Sequence, residues 1–394
     1  MLLRSGLIGA ISFCVACLLG CQSGDKPKDT VSVPGEDAWT FVSIPDFLNV
    51  DTEYPQPGWE ESLGMILNEV KSENPDFVLV PGDLVMGHWD APSWNSTDSI
   101  AKYSELYYSA WKARMQAHDL KFYVAIGDHE IGDNPWIDSA KVAVIPAYKE
   151  AFATHLQMPQ NGPAHMRGTA YWWRHKNVLF VSVDVFEEGE SDEGSIRPGV
   201  SGEQLAWLED VLLENKDARH KIIMGHTPVL GPVRRWSTSG LKVAEGRQSG
   251  FWQTMSKHEV DLYLCGEMHA ITCTSRDGVM QVVHGGLIGY NRRTSYLMVQ
   301  VTDDQLYLTL KELEMYPSGD HLWQTGDNRP LESLSVDPDG FDVVGAVVID
   351  KSKGRSLLEP RGYFKKKFEK SDEWAAAVFR EGVSIEMTKI SLDD

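Results

Sequence analysis

Residues Asp76 to Trp89 read DFVLVPGDLVMGHW. Phe77, Val78, Leu79 and Val80 form a short apolar run of the length and β-branched character of a buried strand. Pro81-Gly82 ends that run and delivers Asp83. A carboxylate placed after a glycine turn at the carboxyl end of a strand lies where open α/β sheets bind their ligands. Glycine turns the backbone there without a Cβ clash. Three further strand endings repeat the pattern: Val124-Ala125-Ile126 before Gly127-Asp128-His129-Glu130, Ile222-Ile223-Met224 before Gly225-His226, and Leu262-Tyr263-Leu264-Cys265 before Gly266-Glu267-Met268-His269. An earlier strand, Phe41 to Ile44, runs into Pro45-Asp46. Carboxylates and imidazoles are ligands of hard and borderline metal ions. Strand ends that all carry them read as one metal site.

Outward from this stretch the chain alternates strand and helix. Trp59 to Glu73 reads as a helix, with Leu63, Ile66, Leu67 and Val70 at helical spacing. The opening is therefore β-α-β, which implies a parallel pair and a right-handed crossover. A helix over about Thr97 to His118 leads to a strand at Phe122–Ile126. An insertion between Glu130 and Arg167, with one helical stretch near Lys141–Leu156, is placed to form a wall of the site. Strands are expected at Ala170–Trp173 and Val178–Asp184. Ser201-Gly202-Glu203-Gln204 has the form of a capping box and starts a helix to about Glu214. A helix near Phe251–His258 and strands at Thr272–Arg276, Met280–Val283, Tyr296–Val301 and Leu306–Leu313 complete the body, residues 39–315. Beyond Tyr316, Pro, Gly and Asp are dense. One hairpin-like run, Val343–Ile349, and a basic cluster at Lys365-Lys366-Lys367 mark residues 316–394 as a C-terminal extension packed on the core.

Composition bounds the partners. The formal net charge is −20 over 394 residues, which argues against nucleic-acid binding through phosphate neutralisation. Residues 1–21 form a targeting segment: Arg4 precedes an apolar run from Leu7 to Leu19 that is short for a bilayer span. Its end, Leu18-Leu19-Gly20-Cys21, resembles the lipobox of bacterial lipoproteins, in which the Cys becomes the acylated first residue. The membrane is thus expected as a partner through the lipid anchor only, with the body extracytoplasmic. Gln22 points to the outer membrane where two membranes are present. Residues 22–38, rich in Ser, Gly, Lys, Pro and Asp, read as a flexible tether. Cys265 and Cys273 flank His269 symmetrically. They read as two buried thiols, with a disulfide left open should a tight hairpin bring them together.

Taken in order, Asp46, Asp83, Asp128-His129-Glu130, His226 and Glu267-Met268-His269 resemble the calcineurin-like metallophosphoesterase family, which includes the purple acid phosphatases. The family pattern is D-x-H or D-x-G, G-D-x-x-D or Y, G-N-H-D or E, G-H, and G-H-x-H, and the likeness spans about residues 39–313. The resemblance implies an α/β fold, a four-layer αββα sandwich with a dinuclear metal centre at its strand ends. It implies a hydrolase that cleaves a phosphate monoester or diester with metal-activated water. Carried over, Asp83 bridges two metals, Asp46 and His269 hold the first, and His226 holds the second. His129 sits beside the scissile bond and stabilises or protonates the leaving group.

Several positions depart from that pattern. Asp46-Phe47-Leu48 lacks the family's His. Met86 stands three residues after Asp83, where purple acid phosphatases place a Tyr. Asp128 replaces Asn, and Glu267 replaces the first His of the last motif. Asp83, Asp128, His226 and Glu267 still make a four-residue second-metal set, rich in oxygen, that favours Mn, Fe or Mg while leaving Zn possible. Four carboxylates balance two divalent cations, which points to a trivalent ion or to a less anionic substrate such as a diester. His88 is the first candidate for the missing ligand, with Asn49 and Asp51 behind it. Glu130 either orients His129 or faces solvent, and His284 either touches the site or packs beside it. Arg292 and Arg293 either bind substrate oxygens or are solvated. Gly82 to His88 is not a P-loop, since His88 stands where Lys is needed. No G-x-S-x-G or H-E-x-x-H occurs. A reading from another class is a non-catalytic metal- or ligand-binding lipoprotein derived from such an enzyme.

Overall fold

The computed structural model describes residues 37–47, 52, 56–87, 96–233, 238–286, 292–319 and 331–365. Cys21 with the rest of the targeting segment, Asn49, Asp51, His88, Lys366 and Lys367 lie outside them. In chain order the elements are β1 (Trp39–Ser43), α1 (Trp59–Ser72), β2 (Phe77–Pro81), α2 (Thr97–Ala117), β3 (Phe122–Ala125), α3 (Ser139–Ala143), α4 (Ile145–Leu156), β4 (Tyr171–His175), β5 (Val178–Ser182), β6 (Phe186–Ser191) and β7 (Gly194–Pro198). They continue with α5 (Gly202–Glu214), β8 (His220–Met224), α6 (Gly250–Lys257), β9 (Leu262–Cys265), β10 (Thr272–Arg276), β11 (Val279–Val283), β12 (Arg293–Val301), β13 (Gln305–Pro317), β14 (Leu334–Val336), β15 (Asp342–Asp350) and β16 (Ser356–Gly362).

The strands form two main sheets. The first has the order β16-β15-β13-β12-β1-β2-β3, with β14 on β13, and the second β10-β11-β9-β8-β5-β4. β1, β2 and β3 are parallel, as are β5, β8, β9 and β11. Every residue of β2, β5, β8 and β9 is buried, as expected of strands covered on both faces.

Alternation along each strand divides the layers. Tyr123 of β3 stacks on Trp173 of the second sheet at 3.9 Å between ring centroids, while its neighbour Phe122 meets Trp111 of α2 on the other face. Phe41 and Phe77 lie edge-on to Phe180, at 5.4 and 5.3 Å. On the far face of the second sheet, Phe251 of α6 meets Tyr263 of β9. Helix, sheet, sheet and helix follow one another across an aromatic seam, which is the α/β sandwich expected.

Three local readings change. Val144 and Pro146 divide the insertion helix into α3 and α4, with proline at the start of α4 where its missing N–H costs nothing. The Ser201 hydroxyl bonds Glu187 rather than capping α5. The acidic run after Asp184, with no strand expected in it, forms the β6–β7 hairpin. Cys265 and Cys273 are buried thiols outside any disulfide, as expected. β11 runs between their strands β9 and β10, so no tight hairpin brings them together. The Val343–Ile349 run lies within β15, which pairs with β13 and carries the first sheet outward.

Candidate metal centre

Each candidate ligand stands just past a strand end. Asp46, Asp83, Glu267 and His269 all have left-handed backbone, with φ of 55°, 60°, 70° and 48°. Such conformations cost of order ~1–3 kcal/mol each in a non-glycine residue and persist where their surroundings over-determine them. The neighbouring glycines explain how. A Cβ on Gly82 would stand 2.4 Å from His226 Nδ1, one on Gly127 2.2 Å from Asp83 Oδ1, and one on Gly266 2.6 Å from Asp46 Oδ2. The glycine before one ligand is the floor under another. At Gly127 and Gly266 close approach, rather than turn geometry, is what excludes a side chain.

His226 is the centre of the cluster. Its Nδ1 donates to Pro81 O at 2.9 Å, which turns Nε2 toward the carboxylates. Nε2 lies 3.0 Å from Asp128 Oδ1, 3.4 Å from Asp83 Oδ2, 3.5 Å from Glu267 Oε2 and 4.0 Å from Asp46 Oδ1. Asp46 Oδ2, Asp128 Oδ1 and His226 Nε2 are buried without a hydrogen-bond partner. Orphaned polar atoms of this kind are rare in folded proteins and call for an explanation. Two groups of ligand atoms, Asp46–Asp83–His226 and Asp128–His226–Glu267, each lie within 4.8 Å of one another. Four carboxylates crowd one imidazole out of solvent, and their mutual repulsion exceeds what that ring, even protonated, can offset. A cation among them turns that repulsion into attraction, so the donor set fits the metal ions its chemistry implies.

The titration behaviour follows from the same crowding. Burial drives the Asp46 carboxyl well above its usual range, against the pull of His226. Asp83 and Glu267 are raised for the same first reason, and each is pushed further by Asp128. Burial would depress the His129 imidazole, but Asp83, Asp133 and Asp128 outweigh it and push it up to about 10. His226 rises in the same way, with Asp83 and Asp128 overcoming burial.

Three supports were not legible in the sequence. Glu130 is fully buried and neither orients His129 nor faces solvent. Its Oε2 accepts from the N–H groups of Asp83 (2.9 Å) and Gly127 (2.7 Å), and its Oε1 from those of Leu84 (2.7 Å) and Val85 (3.2 Å). It ties the loop after β2 to the loop after β3. Asn134 donates to Asp128 Oδ2 at 3.0 Å, leaving Oδ1 toward His226. Glu267 Oε1 accepts from the Thr238 and Ser239 hydroxyls, both at 2.7 Å, and from Leu241 N–H at 3.1 Å. The one signal for the last was the small polar run Thr238-Ser239-Gly240.

The remaining candidates take separate places. His129 Nδ1 donates to Met86 O at 2.7 Å, and its Nε2 lies 3.8 Å from Asp83 Oδ2. Met86, at the position of the purple acid phosphatase Tyr, thus contributes a carbonyl, while its side chain is buried in the core. His269 Nε2 lies 3.7 Å from Asp46 Oδ1. His284 packs beside the site: its Nε2 donates to Ser43 O at 2.9 Å, and burial holds its imidazole down to about 4. Arg292 is exposed, and Arg293 pairs with Glu312 and Glu314.

The family model for calcineurin-like phosphoesterases matches residues 48–270. No curated protein matches the chain by sequence. Among solved structures, a dimetal phosphatase from Danio rerio is 16% identical with a TM-score of 0.48, over 68% of this chain and 95% of its own. A purple acid phosphatase from yellow lupin (Lupinus luteus) seeds is 13% identical with a TM-score of 0.46, over 70% of this chain and 52% of its own. GAP50, the anchor in the inner membrane complex of Plasmodium, is 13% identical with a TM-score of 0.40, over 86% and 92%. At such identities and scores neither activity nor substrate passes from these proteins to this one.

Proposed function

This chain belongs to the calcineurin-like phosphoesterase family, and from that membership we propose how its strand ends divide the work of hydrolysis. It is a hydrolase acting on phosphoric ester bonds, and a metal-dependent one. In our reading two metal ions would be held here, and Asp83 would contribute to both positions. Asp46 and His269 serve the first, and Asp128, His226 and Glu267 the second. The observation that carries this is the convergence of three orphaned buried atoms, Asp46 Oδ2, Asp128 Oδ1 and His226 Nε2, from three different strand ends. When bound, two cations supply positive charge to the phosphoryl oxygens and make a water acidic enough to attack at neutral pH.

The chain's own groups do the rest. His129 is the proton donor to the leaving oxygen. Its Nδ1–H is committed to Met86 O, so the transferable proton sits on Nε2, on a side chain 12% exposed. Asp83 beside that nitrogen keeps the imidazole charged until the ester oxygen arrives. The oxygen-rich second position favours Mn²⁺, Mg²⁺ or iron over Zn²⁺. Four carboxylates offset two divalent cations and leave little net attraction for a dianionic monoester. A phosphodiester is therefore the better substrate, unless one ion is trivalent.

Metal analysis of the purified protein tests the site. Two ions per chain, falling to one or none in Asp83→Asn with loss of aryl phosphodiester turnover, is the expected result. Retained metal and turnover in that variant would remove the assignment, and a monoester preference with two divalent ions would remove the diester reading. We further propose that residues 1–21 are a lipoprotein signal, that Cys21 carries the lipid, and that the body is displayed outside the cytoplasm. Radiolabelled palmitate should enter the protein in a bacterial host and be absent from Cys21→Ala; equal labelling of both would exclude Cys21.

A further inference from the structure

Glu267, Asp128 and Asp83 share a feature that Asp46 does not, and Glu267 shows it most strongly. Each has one oxygen engaged by protein donors and the other left facing His226 Nε2. On Glu267 the engaged oxygen is Oε1, with three donors: Thr238 Oγ1 and Ser239 Oγ at 2.7 Å and Leu241 N–H at 3.1 Å. Oε2 is the oxygen 3.5 Å from His226 Nε2. On Asp128 the engaged oxygen is Oδ2, held by Asn134 at 3.0 Å, and Oδ1 is 3.0 Å from the same nitrogen. A carboxylate offers about four lone-pair sites over its two oxygens. Three donors on one oxygen saturate it, so Glu267 has a single oxygen to give.

We propose that Thr238 and Ser239 are positioning residues that hold Glu267 as a one-oxygen donor, and that this clamp sets the second metal position for Mn²⁺ over Zn²⁺. The proposal rests on the two-metal reading above. The physical case has two parts. Three donors on Oε1 fix which oxygen of Glu267 is engaged and which is turned to the site. A fixed single oxygen also keeps the position open to several hard donors at once, whereas an unclamped carboxylate can close on an ion with both oxygens or swing away. Outer-sphere partners of this kind typically tune metal affinity by ~10–100-fold. An imidazole at position 267, which the family pattern has, needs no such clamp; a carboxylate does.

The test uses the full chain stripped with a chelator and titrated with Mn²⁺ followed by electron paramagnetic resonance of the free ion, then with Zn²⁺ in competition. The wild type should show two Mn²⁺ equivalents. In the double variant Thr238→Val with Ser239→Ala the weaker equivalent should lose about 10–100-fold in affinity, the first should be unchanged, and the Mn²⁺-to-Zn²⁺ preference should fall. Thr238→Ser, which keeps a hydroxyl, should bind as wild type. Glu267→His should shift the second equivalent toward Zn²⁺. Circular dichroism confirms that each variant is folded; should the double variant fail it, Glu267→His decides alone. Wild-type affinities and preference in the folded double variant, or no shift toward Zn²⁺ in Glu267→His, would overturn the clamp while leaving the two-metal reading standing. A wild type that binds no Mn²⁺ or Zn²⁺ would overturn both.

Discussion

The two ends of the sheets bury the same chemistry and treat it differently. At the amino ends of β8 and β9, Asp261 and His220 are fully buried side by side, 3.8 Å apart. Asp261 Oδ2 accepts from Lys351 Nζ at 3.0 Å and from Lys221 N–H at 3.0 Å, and Arg355 Nε lies 3.9 Å from Oδ1. Burial holds the His220 imidazole below its usual value, and Lys351 adds to the effect. At the carboxyl ends, Asp46, Asp83, Asp128 and Glu267 are equally buried, and among the described residues their ion-pair partners are histidines. A buried carboxylate must be paired or neutralised. Where lysine supplies the charge the result is a joint, here between the segment after β15 and the second sheet. Where none arrives, the place is left for an ion from outside.

The comparison can be broken at either end. The largest effect is expected on the chemistry. His129→Ala should lower kcat by about 10²–10⁴-fold, the range of a general acid, with both metals retained. Unchanged kcat would return His129 to a role like that of His220. Next come the two aspartates in chelator-treated protein. Asp261→Asn should destabilise by about 3–5 kcal/mol, since it strands buried cations, without altering metal content. Asp46→Asn should raise the melting temperature of the stripped protein, because it removes a carboxyl whose ionisation burial opposes, while costing metal. Matching shifts of the same sign would erase the distinction drawn here. The smallest effect is expected at Glu130→Gln. An amide offers one acceptor oxygen to four N–H groups and turns its NH₂ on two of them, so a loss of about 2–3 kcal/mol is expected in thermal unfolding.

The strand endings were legible because each is a local signal: an apolar run, a glycine, an acid or imidazole. The strands at Phe77 and Phe122 and the helix at Trp59 came from periodicity, which depends only on neighbours along the chain. Glu130 was not legible in the same way. It stands beside a candidate catalytic histidine, yet its partners are backbone groups of Gly127, Asp83, Leu84 and Val85, most of them far away in sequence. The β6–β7 hairpin escaped because its alternation is carried by glutamates and glycines rather than apolar residues. Ser201 had a capping motif, but Glu187 from β6 competes for its hydroxyl.

Gly82-Asp83, Gly127-Asp128, Gly225-His226 and Gly266-Glu267 were enough to point to one metal site on an α/β sheet, because glycine before a polar residue at a strand end is a constraint on the local chain. Tertiary structure alone decided that Gly127 and Gly266 make room for another strand's ligand, that His226 is the common neighbour, and that Thr238 and Ser239 leave Glu267 one free oxygen. Those are distances between segments far apart in the chain. They exist only once two sheets have packed and their carboxyl ends have met.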